Sequence, residues 1–314
     1  MPTVLITGGT GMIGKRLTGL LVDKGYKVII LSRHAHPIHT EQQNMTERIT
    51  YAKWDLIGQT IDKNAIAQAD HIIHLAGAGV ADQRWSKQRK QEIADSRTQS
   101  SALIVKALAE IPNKVKTVIS MSAIGWYGPD TEKTKHAGFT EDAPADTAFL
   151  GETCRAWEAS IEPVTQLGKR LVKLRTGIVL SNEGGAFVEF MKPIRSGIAA
   201  IFGNGKQIVS WIHIDDLCRM FIHALETETV NGVYNAVAPH PVTNRSLTIA
   251  LAKRLRGKFF VPAHIPAFVL KMILGEMSIE VLKSAKISCR KIQLTGFNFL
   301  YTTFESAIGN LLQK

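Results

Sequence analysis

The chain has 314 residues, 45% of them hydrophobic and 21% charged. That composition supplies a sizeable core, excludes a disordered or low-complexity chain, and suits one large α/β domain or a nucleotide domain with a smaller second lobe. The 38 Lys and Arg against 27 Asp and Glu leave a formal charge of +11, which favours anionic ligands; the basic excess between Lys253 and Lys291 carries no aromatic interleaving and reads as a solvated helix face, not a specific nucleic-acid surface.

The apolar run Val4-Leu5-Ile6 predicts a first strand, and the amphipathic stretch Lys15 to Lys24 a first helix. Between them lies Thr7-Gly8-Gly9-Thr10-Gly11-Met12-Ile13-Gly14, with glycines spaced G-x-x-G-x-x-G. The first glycine permits a tight turn, the second lets backbone approach a pyrophosphate, and the third lets helix and strand pack closely. The helix N-terminus then faces the anion. Gly8, Thr10, Gly11, Met12, Ile13 and Gly14 are therefore the first candidate cofactor contacts. After the Gly25-Tyr26 turn, Lys27–Leu31, Ile49–Trp54, His71–Ala76 and Thr117–Met121 predict buried parallel strands.

A long helix is expected over Trp85–Ile111 and another over Gly151–Leu167, with Lys169–Leu180 as the next strand. This rhythm implies an α/β fold: a Rossmann-like doubly wound parallel sheet over residues 1–180. Residues 181–314 read mainly as a smaller C-terminal substrate lobe, although a strand near 232–237 is expected to return to the sheet. Within that lobe the pattern predicts a helix at Phe187–Arg195, a strand at Ile208–Ile214, a helix at Leu217–Leu225, a helix from Thr243 or Asn244 to Arg256, and a strand at Phe297–Tyr301. Ile265–Leu274 is apolar but short and interrupted by Lys271, so it reads as a packed helix starting near Pro266 and not as a membrane span. With a first strand so early in the sequence, no cleaved signal peptide is expected. Cys154, Cys218 and Cys289 are too scattered for a metal site or a disulfide framework, and suit reduced thiols in a cytoplasmic protein.

The end of the second strand selects the nucleotide. An acidic residue there would repel a 2′-phosphate; this chain has Ser32 and Arg33, and an arginine suits the phosphate, so NADP(H) is expected over NAD(H). Asp55, ending the third strand, can accept from the adenine amino group while Leu56 covers the ring, or it can cap the next segment. Leu75, Ala76 and Gly77 close the strand from His71 with small residues that let a cofactor lie against the backbone.

Together these segments, with Ser120–Gly128, Arg175–Leu180 and Trp211–Asp216, resemble the extended short-chain dehydrogenase/reductase superfamily. Asp95-Ser96-Arg97, Phe149–Glu158, Gly203–Asp216 and Gly296–Phe299 resemble an atypical branch of it, the epimerase-family or cell-division-inhibitor-like proteins, which carry a C-terminal domain of unknown role. The resemblance implies NADP binding, adds Ser96, Ser120 and Ile178 as cofactor contacts, and suggests a small polar substrate such as a sugar nucleotide. It also implies a Tyr-x-x-x-Lys pair on the helix after the fifth strand, where this chain has Leu150 and Cys154. Leucine has no exchangeable proton and cysteine no positive charge.

Several residues stand near the gap. Ser122 can hold a carbonyl oxygen, although counting back from Gly128 puts Ala123 at that position. Tyr127 can donate a phenolic proton or pack beneath the substrate. Glu152 can act as acid or base, or stabilise a helix N-terminus. Cys154 reads as a small buried residue more readily than as a nucleophile. His213 can contact substrate or stabilise the Asp215-Asp216 turn, and Arg175 can pair with a buried carboxylate or bind substrate phosphate. The expected function is an NADP(H)-dependent oxidoreductase or epimerase-like enzyme with atypical proton-transfer residues. The alternative is an NADP(H) sensor without turnover. No metal, membrane or specific nucleic-acid partner is expected.

Overall fold

The computed structural model describes residues 1–33 and 48–313. Its centre is an eight-stranded sheet built from β1 (Thr3–Thr7), β2 (Lys27–Ser32), β3 (Ile49–Asp55), β4 (Thr60–Ile61), β5 (His71–His74), β6 (Thr117–Ala123), β7 (Arg170–Thr176) and a later strand, Gly232–Ala236. Smaller strands are β8 (Ile178–Leu180), β9 (Ile198–Phe202), β10 (Ile208–Val209) and β11 (Trp211–His213); Gly232–Ala236 is β12, followed by β13 (Val242–Thr243) and β14 (Val261–Ile265). The sheet order is β12-β7-β6-β5-β1-β2-β3-β4, and every pairing is parallel except the short β3–β4 edge.

Both faces of β1, β2, β5 and β6 are covered, which is why those strands read as apolar runs. The strand expected to be buried over Ile49–Trp54 forms as β3 but lies next to the edge, and only its Trp54 is buried. Side chains alternate across β1: Val4 and Ile6 join Leu17, Leu21, Leu217 and Phe221 on one face, while Leu5 joins Ile29, Ile72, Leu103 and Ile104 on the other. The helices Met12–Asp23 and Ile214–Glu226 cover the first face, and Lys87–Glu110 covers the second. A separate core under the later lobe gathers Phe187, Met191, Trp211, Leu247, Leu251 and Phe304.

The chain winds from β1 through β2 to β3, then crosses to β5 on the other side of β1. The strand order therefore reverses between β1 and β5. In open parallel sheets that reversal leaves a crevice at the carboxyl ends of the strands, which is where ligands bind.

Some elements depart from the pattern in the sequence. The strand expected over Lys169–Leu180 breaks at Gly177, where an added Cβ would stand 2.6 Å from the Ser210 carbonyl oxygen; the chain turns there and β8 pairs with β11 instead of the main sheet. The expected Ile208–Ile214 strand likewise divides into β10 and β11. The helix expected over Gly151–Leu167 is α-helical only across Phe149–Ile161 and continues as a 3-10 turn through Pro163 to Leu167.

No strand forms over Phe297–Tyr301. The backbone N–H groups of Leu300 and Tyr301 donate to the fully buried Asp216 carboxylate at 2.7 and 2.9 Å, so a side chain takes the bonds a ladder would need. The β9–β14 pair had no counterpart in the sequence reading; Pro262 lies on its exposed strand, where it is tolerated. Among the described residues, no helix is long and apolar enough to cross a membrane, and no cluster could hold a metal ion.

Candidate functional site

The glycine loop sits at the strand reversal. Gly8 has φ of +70°, and a Cβ there would lie 3.0 Å from Leu75 C and Ala76 N, so the loop is pressed against the exit of β5. A Cβ on Gly14 would overlap the Gly8 carbonyl oxygen and stand 2.5 Å from Gly9 Cα. Only glycine permits this approach of helix to turn. Gly11 caps the Met12–Asp23 helix with extended backbone and no side-chain bond, and the first turn holds no acidic residue. The helix start therefore keeps backbone N–H groups for an anion.

Thr10 and Gly11 are exposed, while Met12 and Ile13 are half-buried. The Glu183-Gly184-Gly185 turn approaches Met12 closely enough that a Cβ on Gly185 would lie 3.6 Å from its Cε, so this turn borders the glycine loop.

Beneath the loop, Thr7 Oγ1 accepts from the backbone N–H groups of Leu75 and Ala76 at 3.1 and 3.2 Å. Its own proton is then free for His74 Nδ1, 2.7 Å away, which leaves His74 Nε2 to donate toward Ser101 at 3.1 Å. Burial pushes the His74 pKa down to about 3, and nearby Arg97 adds to that effect; the ring is neutral. The helix Lys87–Glu110 pins the next residues. Ser96 Oγ accepts from Ala78 N at 3.0 Å, and Arg97 Nη1 donates to the Ala78 carbonyl at 3.0 Å. Gly77 between them is exposed.

At the other end of the crevice, Ser32 is buried and Arg33 is exposed at the close of β2. Asp55 is exposed; its Oδ1 accepts from Ile57 N at 2.9 Å and shapes the turn to β4, with Leu56 packed against the second face of the core. Ser120 is buried in β6, its hydroxyl donating to the Met121 carbonyl, and Ile178 is half-buried in β8.

The residues proposed for chemistry divide. Ser122 Oγ is buried and donates to Glu158 Oε1 at 2.7 Å. Arg175 is only 3% exposed and donates to both Glu158 oxygens, at 2.8 and 3.0 Å. It also donates to the Tyr127 hydroxyl at 3.0 Å and the Glu141 carbonyl at 3.0 Å, and its guanidinium lies 3.6 Å from the Trp126 ring centroid. Tyr127 is fully buried, and its hydroxyl donates to Asn235 Oδ1 at 2.6 Å. Asn235 uses its NH2 group on the Phe139 and Ser288 carbonyls, which fixes the amide so that only its oxygen faces the phenol. Burial pushes the Tyr127 pKa up to about 12. The phenolic proton is thus committed inside a network that ties β6, β7, β12 and the Phe149–Ile161 helix together.

Of the two roles weighed for Arg175, the buried carboxylate pair is the one the geometry shows. His213 is 1% exposed and caps the Ile214–Glu226 helix, its Nδ1 accepting from Asp215 N at 3.1 Å. Its ring lies 3.9 Å from that of Tyr301. Asn310 approaches the ring, but not within hydrogen-bond geometry of Nε2. Glu152 is different: it stands in the first turn of Phe149–Ile161, its side chain is 45% exposed, and it pairs with Arg155. Leu150 and Cys154 both face Gly125 at the exit of β6, within 3.1 and 3.6 Å of where its Cβ would be. Cys154 is 3% exposed, and burial pushes its thiol up to about 12, which disfavours the thiolate a nucleophile needs.

Sequence reasoning passed over Glu158, Asn235, Thr7, His74 and Arg97 as site residues. Glu158 closes the Phe149–Glu158 motif, Arg97 the Asp95–Arg97 motif, Thr7 opens the glycine run and His74 lies in the strand from His71; nothing in the sequence marks Asn235.

The NAD dependent epimerase/dehydratase family profile matches residues 4–236, and a domain of unknown function, DUF1731, matches residues 265–311. The epimerase family protein YfhF of Bacillus subtilis is 34% identical over 310 residues, covering 98% of this chain and 97% of that protein. Among solved structures, the human epimerase family protein SDR39U1 with NADPH superposes with a TM-score of 0.84 at 29% identity, covering 98% of each chain. The nucleoside-diphosphate sugar epimerase of Corynebacterium glutamicum superposes with a TM-score of 0.75 at 30% identity; the match covers 99% of this chain and 58% of that one. With nearly three-quarters of its length matched by the family profile and whole-length relatives above 30% identity, this chain belongs to the NAD dependent epimerase/dehydratase family.

Proposed function

We propose that the protein binds NADP(H) and acts as an oxidoreductase or epimerase-like enzyme on a polar carbonyl or alcohol. The carrying observation is the cradle at the β1–β5 reversal: Gly8 and Gly14 hold positions that a Cβ would fill, beneath a helix start with no side-chain cap. Arg33 is proposed to contact the 2′-phosphate, with Ser32 beside it and Asp55 and Leu56 bordering the adenine. Thr10, Gly11, Met12 and Ile13 are proposed to hold the pyrophosphate. Leu75, Ala76 and Gly77 would lie along the dinucleotide, with Ser96, Ser120 and Ile178 shaping its walls. The NADPH-bound human relative supports the choice of cofactor, and the Corynebacterium relative supports a sugar nucleotide as the substrate class.

When bound, the dinucleotide supplies hydride transfer at its nicotinamide ring. The chain's own residues then position and protect. Ser122, Glu158, Arg175, Tyr127 and Asn235 are assigned to holding the β6 exit rigid, because their polar atoms are mutually satisfied and buried. Glu152 remains the proposed proton carrier, since its carboxylate is open to solvent at the start of the Phe149–Ile161 helix. His213 is assigned to capping rather than substrate contact.

The buried Tyr127 and the Leu150–Cys154 pair favour a second reading, an NADP(H) sensor without turnover. A panel of carbonyl and sugar-nucleotide substrates separates the two, with NADPH absorbance reading net reduction and chromatography of the products reading epimerisation, which leaves the dinucleotide unchanged overall. Turnover that falls at least tenfold in Glu152→Gln supports the enzyme with Glu152 as proton carrier. Turnover indifferent to that change removes Glu152 from the mechanism, and no turnover by a protein that binds NADPH favours the sensor.

A further inference from the structure

Arg97 is 8% exposed, yet it faces no carboxylate within ion-pair distance among the described residues. Nη1 donates to two backbone carbonyls, Ala78 at 3.0 Å and Ile93 at 2.8 Å. Nε and Nη2 have no acceptor among the described residues. They are not among the polar atoms sealed from solvent without a partner, so they still reach open space. One face of the guanidinium lies 4.9 Å from the Trp157 ring centroid. On the β5 side, a Cβ on Gly77 would stand 3.2 Å from Arg97 Cζ. Burial lowers the Arg97 pKa, and the nearby Cys154 acts the other way. An arginine stays charged throughout.

A buried cation that meets only carbonyl dipoles is expensive unless an anion or several oxygen acceptors complete its shell. The surroundings show where such acceptors would come from. Gly8 is pressed against Leu75 and Ala76, so the phosphate cradle and the Leu75–Ala78 segment form one continuous wall. On the cofactor reading, a dinucleotide whose pyrophosphate lies on Gly8–Ile13 would lay its second half along Ala76, Gly77 and Ala78, which continue the same wall. Gly77, with no side chain, opens that path directly onto the guanidinium.

We propose that Arg97 binds the ribose–phosphate of the nicotinamide half of the cofactor through Nε and Nη2, and supplies from the Lys87–Glu110 helix the positive charge that Cys154 does not supply from the Phe149–Ile161 helix. This assignment rests on the NADP(H) reading above. It makes Arg97 a cofactor-contact residue; its bond to Ala78 serves to aim it.

Three ligands separate the contact from a structural role: NADPH, 2′-phospho-ADP-ribose (which keeps the second ribose but lacks nicotinamide) and 2′,5′-ADP (which lacks the second half entirely). Calorimetric affinities are measured for the wild type, Arg97→Gln and Arg97→Lys, with the melting temperature of each. Glutamine removes the charge and ends at the place of Nε, two bonds short of Nη1, so the melting temperature reads the loss of the Ala78 bond separately; lysine keeps the charge and loses the fork. Losing a charge-assisted contact is expected to weaken NADPH and 2′-phospho-ADP-ribose about 10- to 100-fold in Arg97→Gln, leave 2′,5′-ADP within about twofold, and cost Arg97→Lys less than Arg97→Gln. Wild-type affinity for all three ligands in Arg97→Gln, or an equal loss for all three, overturns the assignment and leaves the cofactor reading standing. A wild type that binds none of the three overturns the cofactor reading and the assignment with it.

Discussion

Replacing Glu158 with leucine tests whether the buried network is structural. Glu158 is 6% exposed and accepts from Ser122 and from two nitrogens of Arg175, itself 3% exposed. The substitution leaves the guanidinium buried with the Tyr127 hydroxyl, the Glu141 carbonyl and the Trp126 face as its remaining neighbours. Removing one partner of a buried ion pair costs about 3–5 kcal/mol, because the other charge stays behind uncompensated. With an unfolding entropy of about 2.1 cal/mol/K per residue over the 314 residues, each kcal/mol lowers Tm by roughly 1.5 °C, giving a loss of about 5–8 °C. Glu158→Leu combined with Arg175→Met removes both charges and should recover at least half of that loss. Calorimetric melting of the wild type, both single variants and the double variant closes the cycle. A Glu158→Leu protein that melts within about 1 °C of wild type, or a double variant less stable than either single, would refute the reasoning.

Two further outcomes follow from the geometry. Gly14→Ala forces a methyl group into the Gly8–Gly9 turn; it should cost about 1–3 kcal/mol and reduce NADPH affinity at least tenfold, whereas unchanged affinity would show that the turn is not the cradle. His74 carries a folded pKa of about 3, well below its ordinary 6.5, so the unfolded chain binds more protons between those values and stability falls as pH drops through that window. Urea midpoints measured from pH 7 to pH 4 should fall less steeply in His74→Gln than in wild type, and parallel slopes would contradict the buried neutral ring.

The central strands were legible because they are covered on both faces, and the Asn244–Arg256 helix because Thr243 caps it. What escaped was decided by tertiary contacts. Gly177 breaks β7 from β8 because Ser210 crowds it, and Asp216 captures the backbone that would have made Phe297–Tyr301 a strand. The tight glycine turn was readable because backbone geometry, not side-chain surroundings, sets its residue types. The burial of Ser122 and Tyr127, and the choice between the two roles open to Arg175, were not, because they depend on Glu158 and Asn235, which approach from other elements of the fold. A tyrosine beyond a strand end looks the same in sequence whether its proton faces a substrate or an asparagine.

The most direct test of the account is calorimetric titration of the wild-type and Arg33→Asp proteins with NADPH and NADH. The account predicts that wild type binds NADPH at least tenfold more tightly than NADH, and that Arg33→Asp abolishes or reverses that preference by removing the exposed cation at the end of β2. Wild type that binds neither dinucleotide would contradict the central claim, and an unchanged preference in Arg33→Asp would contradict the assigned phosphate contact.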